Sequence, residues 1–93
     1  MKLRLVIEKS NVTISLYNKN DQVIDSSTWR DDRNLLEKLL PEIDALLNKN
    51  GAQIDEVDEI DYSIDVPESY STYRIGKAVM ETLKFVKSQA EVS

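Results

Sequence analysis

The sequence predicts a small α/β domain of order β-β-β-α-β-α, with a mixed sheet in which an antiparallel meander is joined by a parallel fourth strand. Three observations carry this reading. Four separate runs alternate apolar with polar residues, the period of a strand with one buried face. Two longer stretches space their apolar residues as a helix does. The first three runs are linked by short turns, whereas a helical stretch separates the fourth from the third and so provides a crossover.

In the first strand Leu3, Leu5 and Ile7 alternate with Lys2, Arg4 and Glu8, and Val6 falls on the other face. Ser10-Asn11 reads as a turn. Val12, Ile14 and Leu16 then alternate with Thr13, Ser15 and Tyr17 in a second strand. Asn18-Lys19-Asn20-Asp21 suits a hairpin connection, because Asn and Asp tolerate left-handed backbone. Residues 22–29 form the third strand, with Val23 and Ile24 near its start and Trp29 at its end.

Asp31 or Asp32 caps the first helix. Its apolar residues Leu35, Leu36, Leu39, Leu40, Ile43, Leu46 and Leu47 fall within an arc of roughly 140°, wider than the ~100° stripe that seats a helix on a core. Pro41 lies inside this run and lacks a backbone donor, so the helix kinks there or starts afresh near it. Asn50-Gly51 ends the helix. Ile54 to Val57 leads into the fourth strand, where Ile60, Tyr62 and Ile64 alternate with Asp61, Ser63 and Asp65, and Val66-Pro67 closes it. After a loop over Glu68 to Thr72, the last helix runs from Tyr73 to Lys87. Ile75, Ala78, Val79, Leu83 and Val86 form its core side, and Tyr73, Lys77, Met80, Lys84 and Lys87 lie opposite. A right-handed crossover sets the fourth strand parallel to the first. This order is the front of the ribonuclease-H-like fold, the half-domain of actin-like ATPases, with one domain over residues 1–88 and a frayed tail over 89–93.

Composition removes whole classes of chemistry. The 93 residues contain no Cys and no His. Disulfides, thiolate metal sites and every Ser–His or Cys–His arrangement are therefore excluded. Asp and Glu outnumber Lys and Arg by 17 to 12, a net charge of −5. Sequence-independent binding of polyanions rests on clustered cations, so direct nucleic-acid binding is not expected. No run is long enough to span a bilayer, and charges interrupt the start as a signal peptide does not allow. The expectation is a cytoplasmic domain without cofactor or metal.

Three ordered segments resemble a known family. Leu39-Leu40-Pro41-Glu42-Ile43-Asp44-Ala45-Leu46-Leu47 is similar to the LLPxIDxLL segment of bacterial TsaB-type proteins. Gly51 and the acidic-apolar entry from Ile54 to Ile60 follow in family order. The stretch from Val66 to Gly76 resembles the family's GPGSFTGLRIG, with Pro67, Ser69, Arg74, Ile75 and Gly76 in register. Leu5 to Ser10 stands where the family has a strand ending in DTS.

The resemblance covers nearly this whole chain, but only the N-terminal half of a full-length member. It implies a non-catalytic scaffold role in making threonylcarbamoyladenosine in tRNA. It also implies pairing through the two N-terminal helices, as a homodimer or as a heterodimer with a related tRNA-modification subunit. The loop departs from the family pattern: Val66, Glu68 and Thr72 replace its three glycines, and Glu8 and Lys9 replace the Asp and Thr of the strand end. Glycines allow close backbone approach to phosphate, and Glu68 adds negative charge. The loop is thus expected not to cradle a nucleotide.

Two readings of the side chains remain open. Placed on the helices that the resemblance marks, the contact set expected from the helix faces is Leu39, Ile43, Tyr73, Lys77, Met80 and Lys84, because Met and Tyr adapt to partners and Lys stems cover apolar surface. The alternative is a minimal metal-dependent nuclease using Glu8, Asp61 and Asp65, with Glu37 or Glu42 from the first helix. Two-metal hydrolysis needs ligands that hold ions about 3.5–4 Å apart. Ser10, Ser69 and Ser71 suit turns and caps, since nothing in the chain activates a hydroxyl. Arg74 suits an anion or an ion pair with Glu68 or Asp65.

Overall fold

Alternation in the first strand decides where the core lies. Leu3, Leu5 and Ile7 are fully buried, and so are Val12, Ile14 and Leu16 opposite them in the next strand. Burying each such side chain contributes about 1.5–3 kcal/mol, so these six fix the sheet's inner face. The computed structural model describes the backbone of residues 1–92 and the side chains of residues 1–85. Its elements are β1 (Lys2–Glu8), β2 (Asn11–Tyr17), β3 (Val23–Arg30), α1 (Leu35–Lys49), a 3-10 turn (Ile54–Glu56), β4 (Glu59–Asp65) and α2 (Ser71–Val92). The core role expected of Val86 lies outside the described side chains, and of the frayed tail expected over residues 89–93 the backbone as far as Val92 belongs to α2.

The sheet has four strands in the order β3-β2-β1-β4. β1 pairs antiparallel with β2 and parallel with β4, and β2 pairs antiparallel with β3. The mixed ribonuclease-H-like arrangement expected from the sequence is therefore the one observed. Both helices pack on one face. Leu35, Leu39, Ile43, Leu46 and Leu47 of α1, Val79 and Met80 of α2, and Ala52, Val57 and Ile60 complete the buried cluster. The other face carries Lys2, Arg4, Thr13, Ser15 and their neighbours, with Thr13 and Thr28 hydroxyls 3.1 Å apart across β2 and β3.

Local chemistry explains the connections. Asn18 Oδ1 accepts the N–H groups of Asn20 at 2.8 Å and Gln22 at 3.1 Å, and Asp21 turns left-handed with φ 58°. Such side-chain mimicry of a backbone turn is what Asn supplies. Gly51 takes φ 65° after α1, the usual helix stop.

Four expectations change. The residue at the N-cap of α1 is Asn34, not Asp31 or Asp32, and its side chain makes no capping bond. Asp31 instead accepts the Asn34 N–H at 3.2 Å and the Thr72 hydroxyl at 3.3 Å, tying the start of α1 to the start of α2. Pro41 neither breaks nor restarts α1, which is continuous. It lies on the exposed side, where water can satisfy the carbonyl it leaves unbonded. Ile54 to Glu56, expected only to lead into the fourth strand, takes the form of a 3-10 turn.

The fourth change concerns α2, which starts at Ser71 and runs to Val92. Its inner face is rotated relative to the expected one: Met80 is fully buried and Ala78 is exposed. Gly76 is the reason. A Cβ there would meet Ile64 Cδ1 at 2.9 Å, so the helix backbone itself sits on the sheet at this point. Met80 lies one turn further along the same line. A pattern of apolar side chains gives a glycine no weight, and so misses the line of closest approach.

Candidate functional site

The helical layer has two flanks and a groove between them. α1 lies over β3: Lys38 stacks 5.7 Å from the Trp29 ring, Ser27 Oγ donates to Glu42 at 3.4 Å, and Lys49 pairs with Asp25 at 3.4 Å. α2 lies over β4: the Tyr62 hydroxyl donates to Glu81 at 2.7 Å, and Lys84 sits 5.2 Å from the Tyr62 ring. At about 100° per residue, Leu36 and Leu40 project from α1 toward α2 rather than into the sheet. They are 64% and 48% exposed. Beside them, Ile75 is half-buried and lines, with Leu36, Ser71 and Thr72, a groove of about 520 Å³. Further along α2, Phe85 is 63% exposed. Glu37 and Asp44 stand on the crest of α1 and Arg74 on that of α2, all exposed.

The contact set expected from sequence does not form one surface. Leu39, Ile43 and Met80 are 0–2% exposed and belong to this chain's own core. Removing them from solvent is what holds the helices to the sheet, so they are not available to a partner. Lys77 and Lys84 are exposed and Tyr73 is half-buried, but by the helical period all three face the β4 flank. On the two helices, the exposed large apolar residues among the described ones are Leu36, Leu40 and Phe85. The wide apolar arc of α1 did signal a surplus, but only the position of α2 shows which part of it is covered.

The loop after β4 has its own geometry. The Tyr70 N–H donates to the Pro67 carbonyl at 3.0 Å, a tight turn, and the Tyr70 carbonyl accepts from Tyr73 at 3.1 Å as α2 begins. Thr72 is therefore a helical residue rather than a loop residue. None of Val66 to Thr72 has positive φ; among non-glycine residues only Lys9, Asp21 and Arg33 do so in the described chain. This turn needs no glycine, which accounts for Val66 and Glu68 in it.

The carboxylates of the nuclease alternative are not brought together. Glu8 lies beside Asp65 at the strand ends, but Asp61 sits four residues back along β4 and pairs with Arg4 at 3.7 Å. Four residues of strand span about 13 Å, far beyond two-metal spacing. Glu42 turns toward β3, as its contact with Ser27 shows, and Glu37 lines the helical groove. Among the described residues no three His, Cys, Asp or Glu side chains are grouped to hold a metal ion, and no helix is long and apolar enough to cross a membrane.

The ionisations of Asp25 and Tyr62 are perturbed, each chiefly by a neighbour across the helix–sheet seam. The Asn50 amide, with the Ser26 N–H and Lys49, holds the Asp25 carboxyl below its usual value. Donation to Glu81 raises the Tyr62 phenol above its usual value. Neither group lies in a cleft with a nucleophile, so both read as structural.

No family model and no curated protein matches the sequence. The fold does match solved structures. YeaZ from Pseudomonas aeruginosa, a TsaB protein, superposes with a TM-score of 0.79 at 23% identity, over 94% of this chain and 39% of that one. A structure described as an uncharacterized protein with similarity to peptidase YeaZ from Pseudomonas aeruginosa matches with the same score, identity and coverage. This chain therefore spans well under half the length of the proteins it matches. Over nearly all of its length it has the fold of the TsaB-type proteins whose motifs its sequence resembles.

Proposed function

We propose that this chain is a non-catalytic cytoplasmic docking module of TsaB type, which associates through the outer surface of α1 and α2 and serves tRNA modification. The observation that carries the reading is the pair of exposed leucines on α1, Leu36 at 64% in the groove at the start of the two helices and Leu40 at 48% one turn further along, on a chain whose other α1 leucines are buried. Exposed neighbouring leucines on adjoining helix turns are what a helix-to-helix contact uses. The occupant we favour is a second copy of the chain. A two-fold axis over the groove sets α1 of one copy on α2 of the other, so the Glu37 and Asp44 crest meets the Arg74 crest. A related modification subunit is the other outcome of the test.

Light scattering across a concentration series measures the mass directly. A mass that rises to twice that of one chain supports self-association. A mass that stays at one chain up to high micromolar concentration moves the reading to the separate subunit. The non-catalytic part has its own test: the protein incubated with Mg²⁺ or Mn²⁺ and a labelled RNA leaves the RNA intact, and metal-dependent cleavage overturns it.

A further inference from the structure

β4 is an outer strand, and its free edge has a distinctive charge. Among the described residues it pairs with β1 alone, so its other side presents main-chain N–H and C=O groups with no described strand beside them. Such an edge is a template for strand addition. Between Asn50 and Tyr73 the chain has seven Asp or Glu and no Lys or Arg. On β4 itself, alternation places Glu59, Asp61, Ser63 and Asp65 on the face away from the helices and Ile60, Tyr62 and Ile64 beneath α2. Tyr62 and Ile64 are half-buried, although Leu5 and Ile7 in the same rows are fully buried. The edge thus offers an incoming strand apolar contact on one face and carboxylates on the other.

β1 shows what strand fits such a neighbour. Lys2 and Arg4 approach Glu59 and Asp61 at 3.7 Å each, while Leu3 and Leu5 continue the apolar face. Glu8, next to Asp65, adds negative charge at the end of the row. A second β4 is a poor occupant, because antiparallel pairing about Tyr62 sets Glu59 against Asp65 of the other copy, a like-charge pair. We propose that the free edge of β4 takes up an extended segment of a separate polypeptide in which Lys or Arg alternates with apolar residues. Main-chain bonds hold the segment, and the carboxylate face selects it. This site lies on the flank away from α1 and does not depend on the groove between the helices.

The test titrates the full chain, followed by ¹H–¹⁵N spectra, with a synthetic peptide of about eight residues alternating Lys with Val or Leu. Two controls accompany it: the same peptide with Glu for Lys, and one of identical composition with its basic and apolar residues in separate blocks. The expected result is amide shifts centred on Glu59–Asp65, with both controls binding at least about tenfold more weakly. Ser63→Lys with Asp65→Lys, both exposed positions, should weaken binding of the alternating peptide by a similar factor. Leu36→Glu with Leu40→Glu should leave it unchanged, which separates this site from the helical groove. Absence of shifts at millimolar peptide, equal binding of either control, or self-pairing of β4 in the free chain overturns the proposal.

Discussion

Gly76 and Ile64 approach so closely that a Cβ on Gly76 would lie 2.9 Å from Ile64 Cδ1, and 3.2 Å from Ile7 Cδ1. This contact sets the height of α2 above the sheet and the rotation that buries Met80. Gly→Ala in an open helix position gains about 1 kcal/mol of intrinsic propensity. Here that gain is opposed by overpacking, typically about 1–3 kcal/mol. Gly76→Ala is expected to be net destabilising in the wild-type background. Ile64→Val removes the opposing Cδ1, so the same change should cost about 1 kcal/mol less there. Urea unfolding of the four proteins of this cycle measures the coupling. Equal costs in both backgrounds would show that the contact does not decide the position of α2.

Leu39 and Leu36 are three residues apart and should respond oppositely to truncation. Leu39 is 0% exposed and Leu36 is 64% exposed. Leu39→Ala is expected to cost about 2–5 kcal/mol, as is Met80→Ala. Leu36→Ala, measured at a concentration where the chain is monomeric, should stay within about 0.5 kcal/mol of wild type. Denaturant midpoints check this. A large monomer effect at Leu36 would mean that the groove is part of the core.

Asp25 links β3 to the end of α1 and should leave a trace in the acid limb of stability. Its carboxyl is held below the ordinary value of 3.8, chiefly by the Asn50 amide. A lowered native pKa means that the unfolded chain binds the proton first. The stabilisation is therefore complete above the ordinary value and is lost as pH falls through the lowered native value. Asp25→Asn should reduce Tm at pH 6 and converge with wild type in strong acid. A constant difference in Tm at every pH would contradict the assigned role.

The sheet was legible because its code is simple. Leu3, Leu5 and Ile7 face one way at period two, and short turns, the second of them rich in Asn and Asp, join the first three strands. The helical layer was legible only in part. Seven apolar residues on α1 announced more surface than one contact needs, but Leu36 and Leu40 could be separated from Leu35 and Leu39 only by knowing where α2 lies. On α2 the reading failed at Gly76, a residue without a side chain whose absence of bulk defines the packed face. Asp31 was also missed as a tie between helices, because its partner Thr72 is forty-one residues away in sequence.

The most direct test of the docking surface is sedimentation velocity of the wild type beside Leu36→Glu with Leu40→Glu. Both positions are exposed, so the variant should keep its fold; Met80→Glu would instead place a charge in the core and test folding. The account predicts a wild-type dimer at tens of micromolar and a variant that sediments as a monomer with an unchanged circular dichroism spectrum. A dimer that survives both substitutions would contradict it and would move the association away from the α1–α2 groove.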